Sequence, residues 1–450
     1  MPGGGARHAR TPCDGKESLV LGQRRLQATA EFQLMNTHSS IERLESRIAP
    51  AGLIVKLSGG TLNISGDPLN DAVHIDLAGG SIEVLDGVVS LGIFAGVKII
   101  TAKLLGPTSV DVDLPGGGLP GALSVSLAGV GSLSLAAGSR VGGALSFTGD
   151  SAAQTLSLGS NVAVGKTLTF AGGLGADAFT LGAGTTIGGH ATFTSIETGL
   201  FADTSVITIN GNLVFKNAAA TLDVDLHTNF NQGLQVTGKT SYTGGSGADS
   251  LGFGGTFGGS VTFSDKSGNN SLFFGSASTI SGSVAMTTGS GNDSIGIQLG
   301  TVDKDVTLKL GAGMNSFLYG GVGAVNIGGS VLFAAGAGDD SWRSLGAVMT
   351  VGKNFTAQLG DGTNTINVAV VVNGSKVLVS TGSGVDTVAL VGSAASAAVV
   401  LSFGAGADDF TSTLTGVLSA RYDGGAGVDR FRPNTLSGNP VLLSGFEDFS

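Results

Sequence analysis

The heptapeptide "VGGALSF" at Val141–Phe147 recurs along the chain, and its recurrence indicates the architecture. It combines an apolar residue, a Gly-containing pair and an alternation of apolar and polar side chains. Successive copies begin at intervals of a little over twenty residues, a regularity that chance does not produce. The later copies are "VGKTLTF" at 164, "IGGHATF" at 187, "INGNLVF" at 209, "VTGKTSY" at 236, "FGGSVTF" at 257, "ISGSVAM" at 280, "VDKDVTL" at 302, "IGGSVLF" at 327, "VGKNFTA" at 351 and "VNGSKVL" at 372, with "LPGALSV" at 119 one step upstream.

A second phrase has the same spacing and brings a polar residue to one place in every unit. In "TGSGNDSIGI" at Thr288–Ile297, glycines surround a small residue and are followed by an acid and renewed apolar alternation. Gln154 and Asp203 hold the corresponding place in degenerate copies. The acid or amide column consists of Asp177, Asp249, Asn270, Asp293, Asn315, Asp340, Asn364, Asp386, Asp408 and Asp429.

The period-two alternation inside each unit predicts strands and not helices. A unit this short cannot bury an apolar face alone, and repeats of this length stack on their neighbours to form a continuous core. We therefore predict an all-β fold, a single-stranded parallel β-helix or β-solenoid with coils of 22–24 residues, about 17 of them between residues 53 and 450. A β-propeller is the alternative, but its blades need about 40–45 residues and aromatic motifs.

Three regions follow from this pattern. Residues 1–52 lack strand alternation and are predicted to be a disordered tail or a short helix. Residues 53–118 carry strand and turn signals in a looser register, typical of an N-terminal cap or first irregular coils, because an open stack exposes strand edges. Residues 119–450 are the regular coils, with a C-terminal cap near 430–450 that includes Phe446 and Phe449.

The tail contains a short motif of its own. The segment "IERLESRIAPA" at Ile41–Ala51, with Glu45 and Arg47 in a Leu-Glu-x-Arg core, resembles the LEPR-XLL-type motif near the N-terminus of many bacterial exported, repeat-rich surface proteins. That resemblance implies export. No signal-peptide apolar core is evident in this tail. Because the motif follows closely after Met35, we expect translation to start there, with residues 1–34 as an upstream extension.

Composition excludes two classes of partner. The net charge is −10, and Arg140 and Arg343 are the only arginines between Arg47 and Arg421. A nucleic-acid binder needs a basic stripe, and an anionic membrane surface attracts basic segments. The most apolar stretch, Leu390–Ala407, is interrupted by Gly and Ser and lies in phase with the repeat, so no membrane span is predicted.

The glycine phrase raises the question of calcium. The copies "GGLGADAF" at 172, "GGSGADSL" at 244 and "GGAGVDRF" at 424 resemble the Gly-Gly-x-Gly-x-Asp-x-apolar repeats of RTX-type calcium-binding adhesins and toxins. In that family the turns of a β-roll hold Ca²⁺ between aspartates and backbone carbonyls. The resemblance implies Ca²⁺ as the candidate cofactor, and the candidate ligands are the three acids in succession, Asp386, Asp408 and Asp429.

A structural role explains the rest of the column without a metal. Either Asp or Asn forms an Asx-turn with nearby backbone N–H groups, and Gly supplies the positive φ of the turn. Carboxylates stacked one strand apart repel by roughly 1–3.5 kcal/mol. From Asp249 to Asp386 acids and amides alternate, which removes that repulsion between nearest neighbours.

No catalytic constellation is evident. The richest local group is Asp339–Asp340 with Trp342 and Arg343, and its simpler interpretation is a turn aspartate beside an exposed aromatic–cation pair. We expect an exported, non-catalytic structural or adhesin-like protein, extracellular or on a bacterial surface. Its partner would be an unknown surface glycan or protein, or further copies of itself. The alternatives are a carbohydrate-active parallel β-helix enzyme and a calcium-stabilised repeat protein.

Overall fold

A computed structural model describes residues 52–201, 205–217, 225–228, 233–275, 278–298, 300–320, 324–433 and 441–449. The chain divides into two units, Met1–Ala49 and Pro50–Ser450, and every described residue belongs to the second. The export-type motif, Met35 and Asp203 lie outside these ranges. Within them the regular structure consists of 46 β-strands without an α-helix.

The strands of the first region and of the regular coils are short. The first seven are β1 (Ile54–Ser58), β2 (Thr61–Ser65), β3 (Asp71–Ala78), β4 (Ser81–Asp86), β5 (Val89–Phe94), β6 (Ile99–Leu104) and β7 (Thr108–Asp113). The next are β8 (Leu123–Leu127), β9 (Gly131–Leu135), β10 (Arg140–Val141), β11 (Leu145–Thr148), β12 (Gln154–Leu158), β13 (Ala163–Val164), β14 (Leu168–Ala171), β15 (Ala178–Leu181), β16 (Thr186–Ile187), β17 (Ala191–Thr194), β18 (Thr198–Phe201), β19 (Ile207–Ile209), β20 (Leu213–Lys216), β21 (Asp225–Thr228), β22 (Leu234–Val236), β23 (Thr240–Thr243), β24 (Ser250–Phe253), β25 (Gly255–Phe257), β26 (Val261–Ser264), β27 (Ser271–Phe274), β28 (Ser278–Ile280), β29 (Val284–Thr287), β30 (Ser294–Ile297), β31 (Gly300–Val302), β32 (Val306–Lys309), β33 (Ser316–Gly320), β34 (Val325–Ile327), β35 (Val331–Ala334), β36 (Ser341–Leu345), β37 (Met349–Val351) and β38 (Phe355–Gln358).

The last eight strands include longer ones. They are β39 (Thr365–Val372), β40 (Lys376–Ser380), β41 (Thr387–Ser393), β42 (Ala398–Ser402), β43 (Asp409–Thr415), β44 (Ser419–Asp423), β45 (Arg430–Pro433) and β46 (Val441–Ser444). The apolar stretch at 390–407 is divided between β41 and β42. Among the described residues no helix is long and apolar enough to cross a membrane.

Equivalent residues of successive units lie beside each other in parallel register, which confirms the predicted β-solenoid. Val141 pairs with Val164, and Val164 pairs with Ile187. In another column, fourteen successive pairings lead from Leu123 to Val441, one for each turn, and a turn has the length that the repeat predicts. The expected number of coils was too high, because the first region uses its residues differently.

That first region mixes parallel and antiparallel pairing. β2 is followed in the stack by β6, so the chain between Leu62 and its partner Ile100 is much longer than one regular coil. Part of that length forms β4 and β5, which pair antiparallel with β3 and with each other. β1 pairs antiparallel with β2 at the sheet edge. A role of residues 53–118 as a cap stays a prediction.

A regular coil has three strands that belong to three ladders. Ladder A contains strands such as β11, β14 and β17, ladder B contains β12, β15 and β18, and ladder C contains the shortest strands, β13, β16 and β19. At β39 ladders B and C merge, because β39 pairs with β36 through Thr365–Asn367 and with β37 through Val370–Val372. From there each coil has two strands.

The merger is accommodated by polar contacts from the preceding coils. The Tyr319 hydroxyl donates to the Ala369 carbonyl at 2.6 Å, and the Ala369 N–H donates to Ser344 Oγ at 3.3 Å. Tyr319 and Ser344 are themselves register partners in β33 and β36. The backbone at the middle of β39 is therefore hydrogen-bonded where the corner of earlier coils has been removed.

Inward side chains form columns of like residues along the stack. Phe147 stacks on Phe170 with ring centroids 4.9 Å apart, and Phe193 stacks on Phe215 at 5.2 Å. Each of these rings is fully buried. The predicted inward set of Val, Ile, Leu, Phe and Ala is found in the core, and it comes from all the ladders.

We predict that Phe193→Ala lowers the free energy of unfolding by about 3–5 kcal/mol, because it opens a cavity beside Phe179 and Phe215. The matched control is Thr192→Ala, whose side chain points outward from the same strand and whose loss should change stability by less than about 0.5 kcal/mol. Urea denaturation followed by circular dichroism measures both. Equal effects would contradict the in-register core.

Candidate functional site

The acid and amide column lies in the interior of the stack, at the corner that precedes ladder B. Each member is at most 1% exposed. Gln154, which the sequence places in a degenerate copy, is likewise fully buried. The column therefore consists of polar side chains that have lost their water, and each must find hydrogen-bond partners within the protein.

Those partners lie in neighbouring coils. The Oδ1 atom of each member accepts the backbone N–H of the equivalent residue in the preceding coil, at 2.8–3.2 Å in eight successive steps from Asp249 to Asp429. Glu447 Oε2 accepts the N–H of Asp429 at 2.9 Å and ends the series. Upstream, Asp177 Oδ1 accepts from Gln154 N at 2.7 Å. We call this series the inner ladder. The predicted Asx-turn, in which the side-chain oxygen accepts an N–H of its own turn, was wrong, because this oxygen accepts an N–H of the neighbouring coil.

The amides of the inner ladder also bind their own turns. Asn315 Nδ2 donates to the carbonyls of Gly311 and Gly313 at 3.0 and 3.1 Å, and Asn364 Nδ2 donates to those of Gly360 and Gly362 at 2.9 and 3.3 Å. An asparagine thus satisfies the backbone of one corner with its nitrogen and that of the preceding coil with its oxygen.

The acids of the inner ladder are less completely satisfied. Thr288 donates its hydroxyl to Asp293 Oδ2 at 2.6 Å. Among the described residues no partner reaches the buried Oδ2 atoms of Asp177, Asp340, Asp386, Asp408 and Asp429. Burial disfavours the charged form, so it raises the pKa of these carboxyls, to about 6 in the case of Asp177, Asp340 and Asp408.

The predicted calcium ligands Asp386, Asp408 and Asp429 are consecutive members of the inner ladder. The Oδ1 atoms of Asp408 and Asp429 are engaged with backbone N–H groups at 2.8 Å, and that of Asp386 with one at 2.9 Å. Calcium takes six to eight oxygens, commonly from several residues around one point. In the described part of the chain no group of three or more His, Cys, Asp or Glu side chains could hold a metal. The residues present fit calcium poorly, and calcium binding stays a prediction.

An exposed polar ladder accompanies the inner one at the same corner. Asn269 Oδ1 accepts from Asn292 N, and Asn292 Oδ1 accepts from Met314 N, both at 2.8 Å. Asp339 does the same for Thr363, and Asp361, two positions earlier in its coil, accepts from Ser383 N. Sequence reasoning missed this row and Glu447. The available signal was Asn or Asp directly before the inner position, which occurs at Asn269, Asn292 and Asp339.

The constellation around Trp342 does not form a surface site. Trp342 is fully buried and stacks on Phe355 with centroids 4.5 Å apart, whereas Arg343 points outward from the same strand. The expected exposed aromatic–cation pair was wrong. Asp340 belongs to the inner ladder and Asp339 to the exposed row, so these four residues face different environments.

Two features of the outer surface remain as candidate binding sites. A shallow groove of about 470 Å³ crosses several coils at the corner between ladders C and A; it is lined by Thr301, Asp303, Asn326, Ile327, Gly328, Thr350, Gly352 and Asn373. Ladder C itself presents an outward row of uncharged hydrogen-bonding side chains on eight successive coils. This row, the hydroxyl–amide row, consists of Thr186, Thr208, Gln235, Thr256, Thr279, Thr301, Asn326 and Thr350.

No protein-family model, no curated protein and no solved structure matches this chain.

We predict that Asp340→Asn makes stability less dependent on pH. In the wild type the raised pKa of Asp340 gives stability that is fully present below pH 3.8 and is lost as pH rises through about 6. Asn keeps Oδ1 as the acceptor for Asn315, so above pH 7 the variant should be more stable by on the order of 2 kcal/mol. Chemical denaturation at pH 4 and pH 8 measures this. Asp340→Ala is the contrast and should lose about 1–3 kcal/mol at both pH values.

The calcium hypothesis predicts a higher melting temperature in Ca²⁺ than in a chelator. A single specific site stabilises by about 2.7 kcal/mol at a hundredfold excess over its Kd. Asp408→Asn, which keeps the acceptor for Asp386, should reduce the effect. Calorimetry of the purified chain decides the question, and an unchanged wild-type melting temperature would contradict a bound ion.

Proposed function

We propose that this chain is a non-catalytic, exported structural protein with an adhesin-like role on a bacterial surface or in its extracellular matrix. The observation that carries the proposal is the hydroxyl–amide row, which repeats the same kind of uncharged donor and acceptor on eight coils in register. Parallel stacking spaces such groups by about 4.8 Å. A ligand that is itself repetitive could engage many of them at once.

Multivalency makes such weak contacts useful. A single exposed hydrogen bond contributes little net free energy because it replaces one made to water. When one contact holds a repetitive partner in place, each further contact forms at a high effective concentration. Because the row is already in register, little conformational entropy is lost when it binds. This supports a repetitive surface polymer, either a glycan or a protein, as the partner.

The enzyme alternative finds less support in the groove. Asp303 is the one carboxylate among its lining residues, and no aromatic side chain lines it. Glycoside hydrolysis normally requires two carboxyl groups about 5–9.5 Å apart on either side of the bond that is cleaved. The calcium-stabilised alternative depends on the comparison of melting temperatures in Ca²⁺ and in a chelator. Export is supported by the LEPR-XLL-like motif, and this line of support is independent of the surface row.

The proposal predicts that the native protein is found outside the cytoplasm and that the row mediates attachment. Intact cells would be treated with protease and fractionated, and the protein should be digested and recovered with the surface or medium fraction. A protein confined to the cytosol would refute export.

For attachment, Thr279→Lys and Thr301→Lys would place two charges in adjacent coils of the row, and binding of the purified chain to intact cells of its source organism should fall several-fold. The matched control is Ser241→Lys with Thr262→Lys, which are register partners in adjacent coils of ladder A and add the same charge to another face. Equal loss from both pairs would show that charge alone, and not the row, governs attachment.

A further inference from the structure

A second column, most of whose members are buried, covers the inner ladder. It consists of the residue five positions before each ladder member, and its environment therefore depends on the carboxyl or amide beneath it. Asp265 is the one acid in this covering column, which is made up of Gly149, Gly172, Gly244, Asp265, Thr288, Leu310, Ala335, Leu359, Thr381, Phe403 and Gly424.

Asp265 and Asp249 come together across a glycine. Gly244 is the covering residue of the coil that contains Asp249, and it has no side chain to separate the two acids. A Cβ atom at Gly244 would collide with both Asp265 Oδ1 and Asp249 Oδ2, so both oxygens occupy the space that the missing side chain leaves. The Tyr242 ring borders the same space. We call Asp249 and Asp265 the acid pair.

The acid pair lies in a buried environment. Asp265 is 7% exposed, Asp249 is 1% exposed and Tyr242 is 2% exposed. Neither carboxyl oxygen of Asp265 nor the Tyr242 hydroxyl makes a well-aligned hydrogen bond with the described residues, although Asn270 and Asp249 lie close to Asp265. In the next coil the covering residue is Thr288, and its hydroxyl donates a hydrogen bond to the Asp293 carboxylate beneath it. An ionised Asp265 carboxyl can only accept hydrogen bonds. It can donate one to Asn270 or Asp249 only when it is protonated.

We propose that the acid pair is a proton-dependent latch that holds the coils around β23 and β26 together while the two carboxyls share one proton. Two adjacent buried carboxyls cannot both ionise cheaply, and one shared proton lets one group donate to the other. When that proton leaves for solvent, two like charges face each other across Gly244. The strands on either side, which pair from Thr240–Val261 to Thr243–Ser264, then lose stability.

Burial is the largest influence on the Asp265 carboxyl, and its pKa is raised. The Lys266 backbone and the side chains of Asn270 and Asp249 lower this pKa, and the charge of Asp293 in the following coil raises it, so the net direction is upward. Lys266 is exposed at the surface beside the pair, and Tyr242 is neutral over this pH range because burial raises its pKa. A carboxyl with a raised folded-state pKa contributes stability that is fully present below its unfolded value and is lost as pH rises through its folded value. The latch is therefore closed in acid and weakened towards neutral and alkaline pH.

The test is hydrogen exchange of the full-length chain between pH 5 and pH 8, with rates expressed as protection factors to remove the intrinsic pH dependence. In the wild type, protection in Thr240–Thr243 and Val261–Ser264 should fall by tenfold or more over this range. In Asp265→Asn it should stay constant to within about threefold, because the second charge is absent. Asp303→Asn removes one surface charge and should behave like the wild type.

A second variant controls for misfolding of Asp265→Asn. Asp249→Asn introduces a residue that the inner ladder already accepts at Asn270, Asn315 and Asn364, and it should abolish the pH effect in the same way. An equal fall of protection in the wild type and in both pair variants would overturn the latch. A stabilisation of the wild type at pH 8 by Na⁺ or Ca²⁺, lost in Asp265→Asn, would also overturn it, because a cation and not a proton would then neutralise the pair.

Discussion

In-register parallel stacking governs every other property of this molecule. Because each residue lies next to its equivalents one coil away, the apolar, polar or charged nature of a side chain is repeated along the stack. An inward phenylalanine meets another phenylalanine, as Phe147 meets Phe170. An outward threonine extends a row, as Thr279 does between Thr256 and Thr301. A charge at an inward position would meet another charge, and this is the problem that the corner of each coil has to solve.

The inner ladder solves it with oxygens that accept backbone N–H groups of another coil. This use of Asp and Asn connects coils at a buried corner where the β-ladders leave amides without a strand partner. Acids alternate with amides over much of the column, so that few carboxyls are nearest neighbours. Where acids follow each other, as at Asp386, Asp408 and Asp429, burial raises the pKa of the carboxyls and so favours the protonated form.

Most of the fold could be predicted from the sequence, because its two repeating phrases report the register directly. The position of Trp342 was also contained in the pattern, since it lies two residues after Asp340, where Phe317 lies two after Asn315. The direction of the inner-ladder bonds could not be predicted. An Asx-turn and a bond between coils select the same residue types, and only the three-dimensional structure distinguishes a partner in the same turn from one in the neighbouring coil. The acid pair was equally hidden, because Asp265 lies at a position that the repeat leaves variable.

The merger at β39 shows how such a chain can change over generations. Fewer residues separate the two pairing segments of β39 than separate the strands of the preceding coil that they pair with, yet both neighbours remain hydrogen-bonded. A coil can therefore lose or gain residues at a corner while its strands stay in register with those of the neighbouring coils. We therefore expect that small deletions at corners and duplications of whole coils leave the remaining contacts intact, so that the length of the protein can change in steps of one coil.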